Sequence, residues 1–318
     1  MGRSMLCLLA MWLCWAPLSQ AEPPSVVFIP KGASHVFWKE MARGAQDAAL
    51  GLSINMVWRG PALENDATAQ AKLLGHYAAK GFAGMIVAPN ASAALQLPLQ
   101  QVKNAGSKVV IVDSPLQPGL GLPYVGTHNA AAGALAAEYA AHLQPAPRKV
   151  LLLRFSDKHD STRERENAFR DRLQQLLPAS RIEEGAEVGI TVFDTRDKVQ
   201  KVLAAHPDAD LVFTPNESTT EGTIQALQDA GLAGKLRHVG FDYSPRIDRA
   251  LSGGQLLAVV MQDPYQMGVR AMTILAELLQ KKPVPAVSYT PATLVTAADL
   301  AQPVVQARVR PYLDYLQR

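Results

Sequence analysis

The sequence predicts an α/β fold of two similar lobes, each a parallel sheet flanked by helices, joined by a hinge with a cleft between them. Short apolar runs alternate with segments whose apolar residues recur at helical spacing, which is typical of parallel sheets built from strand-helix-strand units. The alternation stops at the turn-rich residues 144–147 and then starts again. The length of 318 residues corresponds to about two domains.

The first half of the chain is expected to alternate strands at residues 25–29, 54–58, 84–88, 108–112 and 124–126 with helices at 37–50, 66–80, 92–104 and 129–142. The second half repeats the pattern, with strands at 149–154, 187–193, 211–214, 238–241 and 257–261 and helices at 161–177, 197–205, 219–230, 246–251 and 265–280. Residues 287–318 contain an extended segment and a last helix. We therefore divide the chain into an N-terminal lobe at 22–145, a C-terminal lobe at 146–260, and a hinge crossing with the C-terminal segment at 261–318.

Residues 1–21 have the features of a signal peptide. Arg3 provides the positive charge that precedes an apolar run at residues 5–16, and residues 19–21 place small side chains at the positions that a signal peptidase reads. The apolar run is shorter than the roughly 20 residues that a membrane span needs. We therefore expect cleavage before Glu22 and export of the mature chain.

The composition argues against several classes of protein. The 31 basic and 28 acidic residues nearly balance, so nothing favours a nucleic acid or an anionic membrane surface as a partner. Both cysteines, Cys7 and Cys14, lie in the signal peptide, so no cysteine metal site is expected in the mature chain. The glycine-rich phosphate loop, the His-Glu-x-x-His motif and the Gly-x-Ser-x-Gly motif are all missing. We predict no enzyme activity, no cofactor and no metal.

A polar and aromatic loop follows the first predicted strand and leads into the first helix. In a parallel sheet, ligands bind beyond the carboxyl ends of the strands, where loops enter helix N-termini. The rings of Phe37 and Trp38 can lie flat on the apolar face of a sugar, and Ser34 and His35 offer hydrogen bonds. The alternative interpretation is that the two aromatic residues belong to the core of the first helix.

Polar residues also follow several later strands. Asp113 and Asp242 each come directly after an apolar strand, where an ionised carboxylate can accept hydrogen bonds from two hydroxyl groups. Asn216 and Gln262 can donate and accept together, and Arg165 supplies forked donors. The alternatives are that the aspartates cap turns, that Asn216 caps a helix, and that Arg165 lies on a solvated helix face.

In this order, the segments resemble those of the periplasmic binding proteins of the ribose-binding type, relatives of the ligand-binding halves of the lactose-repressor family. The resemblance covers nearly the whole mature chain and rests on residues 34–38, 112–114, 163–165 with Phe169, 215–217, 239–242 and 261–264. It implies a ligand cleft between two lobes, with the site residues Ser34, His35, Phe37, Trp38, Asp113, Ser114, Arg165, Phe193, Asn216, Asp242 and Gln262. Arg163 is an alternative to Arg165, and Phe193 is expected to close the pocket from the second lobe.

The sequence departs from the ribose-binding pattern at three of these positions. His35 stands where the pattern has an asparagine, Trp38 where it has a phenylalanine, and Ser114 where it has an arginine. Because that arginine would be a multidentate donor, its loss argues against ribose itself. The segment from Trp58 to Asp66 is also unlike the pattern, and it is either a loop with a helix cap or an additional wall of the cleft.

The resemblance implies a periplasmic receptor that captures a sugar or polyol and delivers it to a membrane ABC importer. The alternative within the family is a ligand-sensing partner of a membrane sensor kinase. A hydrolase that uses Asp113 and Asp242 as its acid pair is a third interpretation. No sequence motif supports it.

Overall fold

The computed structural model describes residues 22–185 and 187–316, and the predicted signal peptide lies outside them. The strands are β1 (Ser25–Ile29), β2 (Asn55–Trp58), β3 (Gly84–Val87), β4 (Lys108–Val112), β5 (Tyr124–Thr127), β6 (Lys149–Leu152), β7 (Arg181–Glu184), β8 (Leu211–Phe213), β9 (Arg237–Phe241), β10 (Ala258–Met261), β11 (Val287–Thr290) and β12 (Thr293–Thr296). The helices are α1 (Val36–Gly51), α2 (Ala67–Ala79), α3 (Ser92–Asn104), α4 (Asn129–Ala141), α5 (Asp160–Leu176), α6 (Val192–Ala205), α7 (Glu217–Asp229), α8 (Pro245–Ser252), α9 (Pro264–Leu279) and α10 (Pro303–Leu313).

The described strands form two six-stranded sheets with equivalent topology. The first sheet has the order β11-β5-β4-β3-β1-β2, and the second has the order β12-β10-β9-β8-β6-β7. Neighbouring strands are parallel, except that β12 runs antiparallel to β10. The structure therefore confirms the predicted α/β fold. We call the layers built on the first and second sheets the first lobe and the second lobe.

Helices cover both faces of each sheet, which explains why the central strands are continuous apolar runs rather than alternating ones. In the first lobe, α1 and α9 cover one face, and α2 and α3 cover the other. In the second lobe, α4 and α5 lie on one face, and α6 and α7 lie on the other. Within the described part of the chain, no helix combines the length and the apolar character that crossing a membrane requires.

The chain passes between the lobes three times: between β5 and α4, between β10 and α9, and between β11 and β12. The first passage lies ahead of the boundary after residue 145 that the sequence indicated. The small side chains of α4, Ala132, Ala136 and Ala140, pack against Phe169 and the strands of the second sheet. The turn at residues 144–147 is therefore a helix-to-strand connection inside the second lobe.

The strand predicted at residues 187–193 is absent. Helix α6 already begins at Val192, because the Thr191 hydroxyl caps it by accepting from the Asp194 amide at 3.1 Å. The edge strand is instead β7, whose sequence has a single apolar residue, Ile182, between the charged Arg181 and Glu183. It therefore lacks the apolar run by which the other strands were predicted. Apart from α6, the other predicted strands and helices up to residue 280 are present with ends that differ by at most two residues.

The helix pair α1 and α9 meets backbone to backbone at two glycines. A Cβ atom on Gly44 would lie 2.1 Å from the carbonyl oxygen of Tyr265, and one on Gly268 would lie 2.0 Å from that of Met41. Helices α4 and α5 meet in the same way, since a Cβ on Gly133 would lie 2.2 Å from the carbonyl oxygen of Arg165. Each lobe therefore depends on one close helix crossing.

We expect Gly44→Ala to lower the free energy of unfolding by about 1–3 kcal/mol, because the added methyl group has no space against Tyr265. Urea denaturation measures this change. The matched control is Gly75→Ala in α2, where a Cβ meets no atom within 4 Å. That substitution should raise the free energy of unfolding by about 0.5–1 kcal/mol. Equal stabilisation by both substitutions would disprove the close crossing.

Candidate ligand-binding cleft

Loops at the carboxyl ends of strands from both sheets enclose a cavity between the lobes. It is lined by residues from the loops after β1 and β2, from the starts of α1, α5 and α7, and from the ends of β4, β6, β9 and β10. The lining residues are Lys31, His35, Phe37, Trp38, Glu64, Asp113, Phe155, Ser161, Thr162, Arg165, Asn216, Glu217, Asp242 and Gln262. We call this cavity the cleft.

A buried ion pair from the first lobe lies in the cleft. The Nζ atom of Lys31, just after β1, is 2.6 Å from Oδ2 of Asp113, just after β4. The same Nζ donates to Oγ of Ser114 at 2.6 Å and, across the cleft, to Oγ of Ser161 at 3.2 Å. Lys31 and Asp113 are only 3% and 4% exposed. The ribose-binding pattern has an arginine at the position of Ser114. Here the cationic donor beside Asp113 is Lys31, which comes from the loop after β1.

Helix α1 begins with the aromatic pair, and Glu64 holds the residues around it. The rings of Phe37 and Trp38 are perpendicular, with their centroids 4.9 Å apart. Trp38 Nε1 donates to Oε1 of Glu64 at 2.6 Å, and His35 Nδ1 lies 2.7 Å from the same oxygen. His35 and Trp38 are three positions apart at the start of α1, so this one oxygen of Glu64 fixes the orientation of both side chains.

The pair formed by His35 and Glu64 is ionised at neutral pH. Burial lowers the pKa of His35, but the neighbouring Glu64 carboxylate outweighs this effect and raises that pKa to about 10. Burial also raises the pKa of Glu64, but the positive charges of His35 and Lys31 hold it down at about 2. A charged group thus replaces the neutral amide that the ribose-binding pattern has at position 35.

Asp113 and Asp242 occupy equivalent places in the two lobes. Each follows the fourth strand of its lobe, and each has a positive φ, 66° for Asp113 and 67° for Asp242. Their amides donate to the next strand in the same way, to Val125 at 2.9 Å and to Val260 at 3.0 Å. Residues other than glycine rarely adopt this left-handed region, and such conformations concentrate at functional sites.

The second lobe contributes a connected network around Arg165. Its guanidinium donates to Asn129 Oδ1 at 2.8 Å, to the carbonyl oxygen of Pro215 at 3.0 Å and to Gln262 Oε1 at 2.7 Å. Gln262 Nε2 in turn donates to Asp242 Oδ1 at 2.6 Å. Arg165 has five N–H donors, and these bonds use three of them. Within the part of the chain that the structure describes, the other two have no hydrogen-bond partner.

Glu217 joins the two lobes. Its side chain accepts from the amides of Val36 at 3.2 Å and Phe37 at 3.1 Å, which are the first amides of α1. Its own amide donates to Oδ2 of Asp242 at 2.8 Å. Burial raises the pKa of Glu217 to about 7, although the charge of His35 acts in the opposite direction. The start of α1 is therefore held by a carboxylate of the opposite lobe.

The structure brings eight of the residues singled out from sequence into the cleft lining, namely His35, Phe37, Trp38, Asp113, Arg165, Asn216, Asp242 and Gln262. Asn216 also caps α7, since its side chain accepts from the Thr219 amide at 3.2 Å. Ser34 is exposed and Ser114 is buried beside Lys31, so neither lines the cleft.

Phe193 does not close the cleft. It lies in the first turn of α6 with 67% of its surface exposed. The aromatic ring that the second lobe does supply belongs to Phe155, just after β6. Phe155 directly follows the predicted strand at 149–154, as Asp113 follows its strand, so the same rule places it at the edge of the sheet where ligands bind. It was not singled out from the sequence.

Sequence reasoning also missed Lys31, Glu64, Ser161, Thr162 and Glu217. A signal was present for three of them. Lys31 follows β1 by two positions, at a strand end, and Glu217 is adjacent to the predicted site residue Asn216. Glu64 lies in the segment after β2 for which an additional wall of the cleft was one of two interpretations, and the structure places its side chain in that wall.

The family profile described as "Periplasmic binding protein domain" matches residues 26–283. The chain belongs to this family. This binding protein is 25% identical over 264 residues to the ribose import binding protein of Salmonella typhimurium, a match that covers 82% of this chain and 87% of that protein. It is 26% identical over 261 residues to the D-allose-binding periplasmic protein of Escherichia coli, which covers 78% of this chain and 82% of the relative.

Solved structures have the same fold. The periplasmic component of an ABC-type sugar transport system from Hahella chejuensis matches with a TM-score of 0.83 and 30% identity, over 86% of this chain and 100% of that one. A glucose-galactose binding protein from Geobacillus stearothermophilus matches with a TM-score of 0.82 and 26% identity, over 88% of this chain and 100% of that one. The chain therefore shares the fold of a sugar-transport component and of a sugar-binding protein.

We expect the destabilisation caused by His35→Asn to depend on pH. Because the pKa of His35 is raised to about 10, its bond to Glu64 contributes fully below its unfolded pKa of about 6.5. That contribution is lost as the pH rises through about 10. The pKa of Glu64 is lowered to about 2, so its own contribution is present above about 4.5 and is lost only as the pH falls through about 2.

Urea denaturation of both proteins at pH 6 and pH 10 tests this expectation. The difference in free energy of unfolding between wild type and His35→Asn should be larger at pH 6 than at pH 10. Gln101→Asn, at an exposed position of α3, is the control, and its effect should be the same at both pH values because neither side chain titrates. A difference of equal size at both pH values would refute the ionised pair.

Proposed function

We propose that this protein captures a monosaccharide or small polyol in the cleft and delivers it to an ABC importer. The observation that carries this proposal is the pair Asp113 and Asp242, two carboxylates at equivalent strand ends that meet in one lining. Carboxylates accept hydrogen bonds from hydroxyl groups, and bonds to an ionised acceptor are stronger than neutral ones. The two relatives named above, a ribose import binding protein and a D-allose-binding protein, agree with this chemistry.

In the proposed complex, each lobe contributes acceptors, donors and an aromatic surface. Asp113 with Lys31 in the first lobe would bind one side of the ligand, and Asp242 with the free N–H groups of Arg165 would bind the other. Because the rings of Phe37 and Trp38 are perpendicular, one of them would lie flat on the apolar face of the sugar and the other would present its edge. Because the polar groups come from both lobes, one ligand would favour the closed arrangement over the open one.

Direct hydrogen bonds between the lobes also support closure around a ligand. Ser92 Oγ, at the start of α3, donates to Asp160 Oδ2 of α5 at 2.6 Å. The bonds from Lys31 to Ser161 and from the start of α1 to Glu217 cross the cleft as well. Such contacts form only when the lobes meet, so the closed arrangement presents a defined surface to a membrane partner.

Binding without hydrolysis follows from how the aspartates are held. Asp242 already accepts from Gln262 Nε2 and from the Glu217 amide, and Asp113 is paired with Lys31. Both aspartates are therefore already engaged by donors of the protein, whereas a glycosidase needs one carboxyl group placed to carry a proton to the leaving oxygen. We therefore expect this protein to bind a sugar and release it unchanged.

A thermal-shift screen of the protein recovered from the periplasm tests ligand binding. D-Ribose, D-allose, D-glucose and D-galactose are the first probes. A sugar at 100 times its dissociation constant should add about 2.7 kcal/mol to the stability of the folded state. Asp113→Asn and Asp242→Asn should each weaken binding about 100-fold, because each removes charge-assisted bonds of about 1.5–3 kcal/mol. Asparagine also tolerates the positive φ at these positions.

Phe193→Ala is the control for this screen, since that side chain lies outside the cleft. It should bind each sugar as wild type does. A sugar that stabilises wild type and both asparagine variants equally would place binding elsewhere, and no response to any monosaccharide or polyol would overturn the proposed function.

Uptake of a radiolabelled sugar tests delivery to an importer. Deletion of the gene should abolish high-affinity uptake of the sugar that binds, and the wild-type gene should restore it. Unchanged uptake, together with a lost transcriptional response to the sugar, would contradict delivery and favour the sensor-kinase role.

A further inference from the structure

The loop after β2, residues 59–66, packs against the loop after β1. A Cβ on Gly32 would lie 2.8 Å from Cγ of Glu64, and one on Gly60 would lie 2.7 Å from Cγ of Pro30. Asp66, at the end of this loop, caps α2 by accepting from the Ala69 amide at 2.8 Å. Glu64 has a different role, because its side chain turns into the cleft and is only 6% exposed.

The two oxygens of the Glu64 carboxylate have different surroundings. Oε1 accepts both protein bonds, from Trp38 Nε1 at 2.6 Å and from His35 Nδ1 at 2.7 Å. Among the residues that the structure describes, none donates to Oε2. A carboxylate has about four acceptor positions, and the two bonds from His35 and Trp38 both go to Oε1. Oε2 is thus an oriented acceptor in the cleft lining, beside the indole of Trp38.

We propose that Glu64 is a ligand-binding residue whose Oε2 accepts a hydroxyl hydrogen of the sugar, while its Oε1 positions Trp38 and His35. This inference rests on the proposed function. It adds a third carboxylate to Asp113 and Asp242, and it predicts a ligand with a free hydroxyl group at the edge of the ring that lies against Trp38. A sugar that lacks this hydroxyl leaves a buried carboxylate oxygen unpaired and is rejected.

The second lobe fixes the same loop. His159 Nε2 and the backbone carbonyl oxygen of Glu64 are 3.1 Å apart, and His159 is fully buried. Burial lowers the pKa of His159 to about 4, so the ring is neutral at pH 7 and donates through Nε2 to the carbonyl. The loop that carries Glu64 in the first lobe therefore contacts His159 of the second lobe when the lobes are together. Closure would thus hold Glu64 in place beside the ligand.

Isothermal titration calorimetry with Glu64→Gln tests the direct contact. Glutamine keeps an oxygen for Trp38 and His35 but replaces the free carboxylate oxygen with a donor. The best-binding sugar of the screen should bind this variant at least tenfold more weakly than wild type. The matched control is Asp66→Asn, which removes a charge from the same loop outside the cleft and should leave the affinity unchanged.

Monodeoxy derivatives of that sugar separate a direct contact from a structural role. For one derivative, the affinity ratio of wild type to Glu64→Gln should fall to about one, because the hydroxyl group that Oε2 binds is missing. The same ratio for every derivative would overturn the direct contact, as would equal binding of the parent sugar to both proteins. If no sugar binds wild type, the proposed function fails and this inference fails with it.

Trp38 fluorescence tests the positioning role independently of any sugar. After residue 21 the chain has only Trp38 and Trp58, so a Trp58→Phe background reports Trp38 alone. Glu64→Ala should shift the emission to longer wavelength, because removal of the side chain frees the indole and opens its N–H to water, whereas Glu64→Gln keeps an acceptor and should leave the emission in place. An identical spectrum for all three proteins would show that Glu64 does not hold Trp38.

Discussion

Charged side chains that leave water must be paired, and this requirement organises the cleft. Taking a carboxylate or an ammonium group out of water costs several kcal/mol unless a partner of opposite charge and further hydrogen bonds compensate for it. Lys31 meets Asp113, and His35 meets Glu64. Arg165 meets the Gln262 side chain, which in turn bonds Asp242. Each partner comes from a different segment of the chain, so the arrangement depends on both sheets being formed.

The sequence predicted the fold and half of the cleft because both depend on local rules. Asp113 and Asp242 follow apolar strands directly, and parallel strands of one sheet end at the same edge. Lys31, Glu64 and Glu217 could not be ranked in this way, since their importance comes from partners 82, 29 and 181 positions away in the chain: Asp113, His35 and the Val36 amide. Phe193 and Phe155 show the same limit, because choosing between two aromatic residues required knowing where α6 begins.

The assignment of α4 illustrates a further limit. Its sequence is rich in alanine, so its apolar pattern is nearly uniform around the helix and gives no clue about which sheet it covers. Packing determines which sheet α4 covers. Gly133 permits a close approach to α5, and α5 belongs to the second lobe. A domain boundary placed at the next turn-rich segment therefore assigned a whole helix to the wrong layer.

The three passages of the chain between the lobes also determine how the molecule is made. The first lobe is not a contiguous stretch, because α9 and β11, which complete its core and its sheet edge, come from residues 264–290. A chain that stopped after β10 would leave one face of the first sheet partly uncovered, with Met267, Ala271 and Leu275 missing from its core. The lobe whose strands are synthesised first therefore finishes folding only after the strands of the second lobe, apart from β12, have emerged.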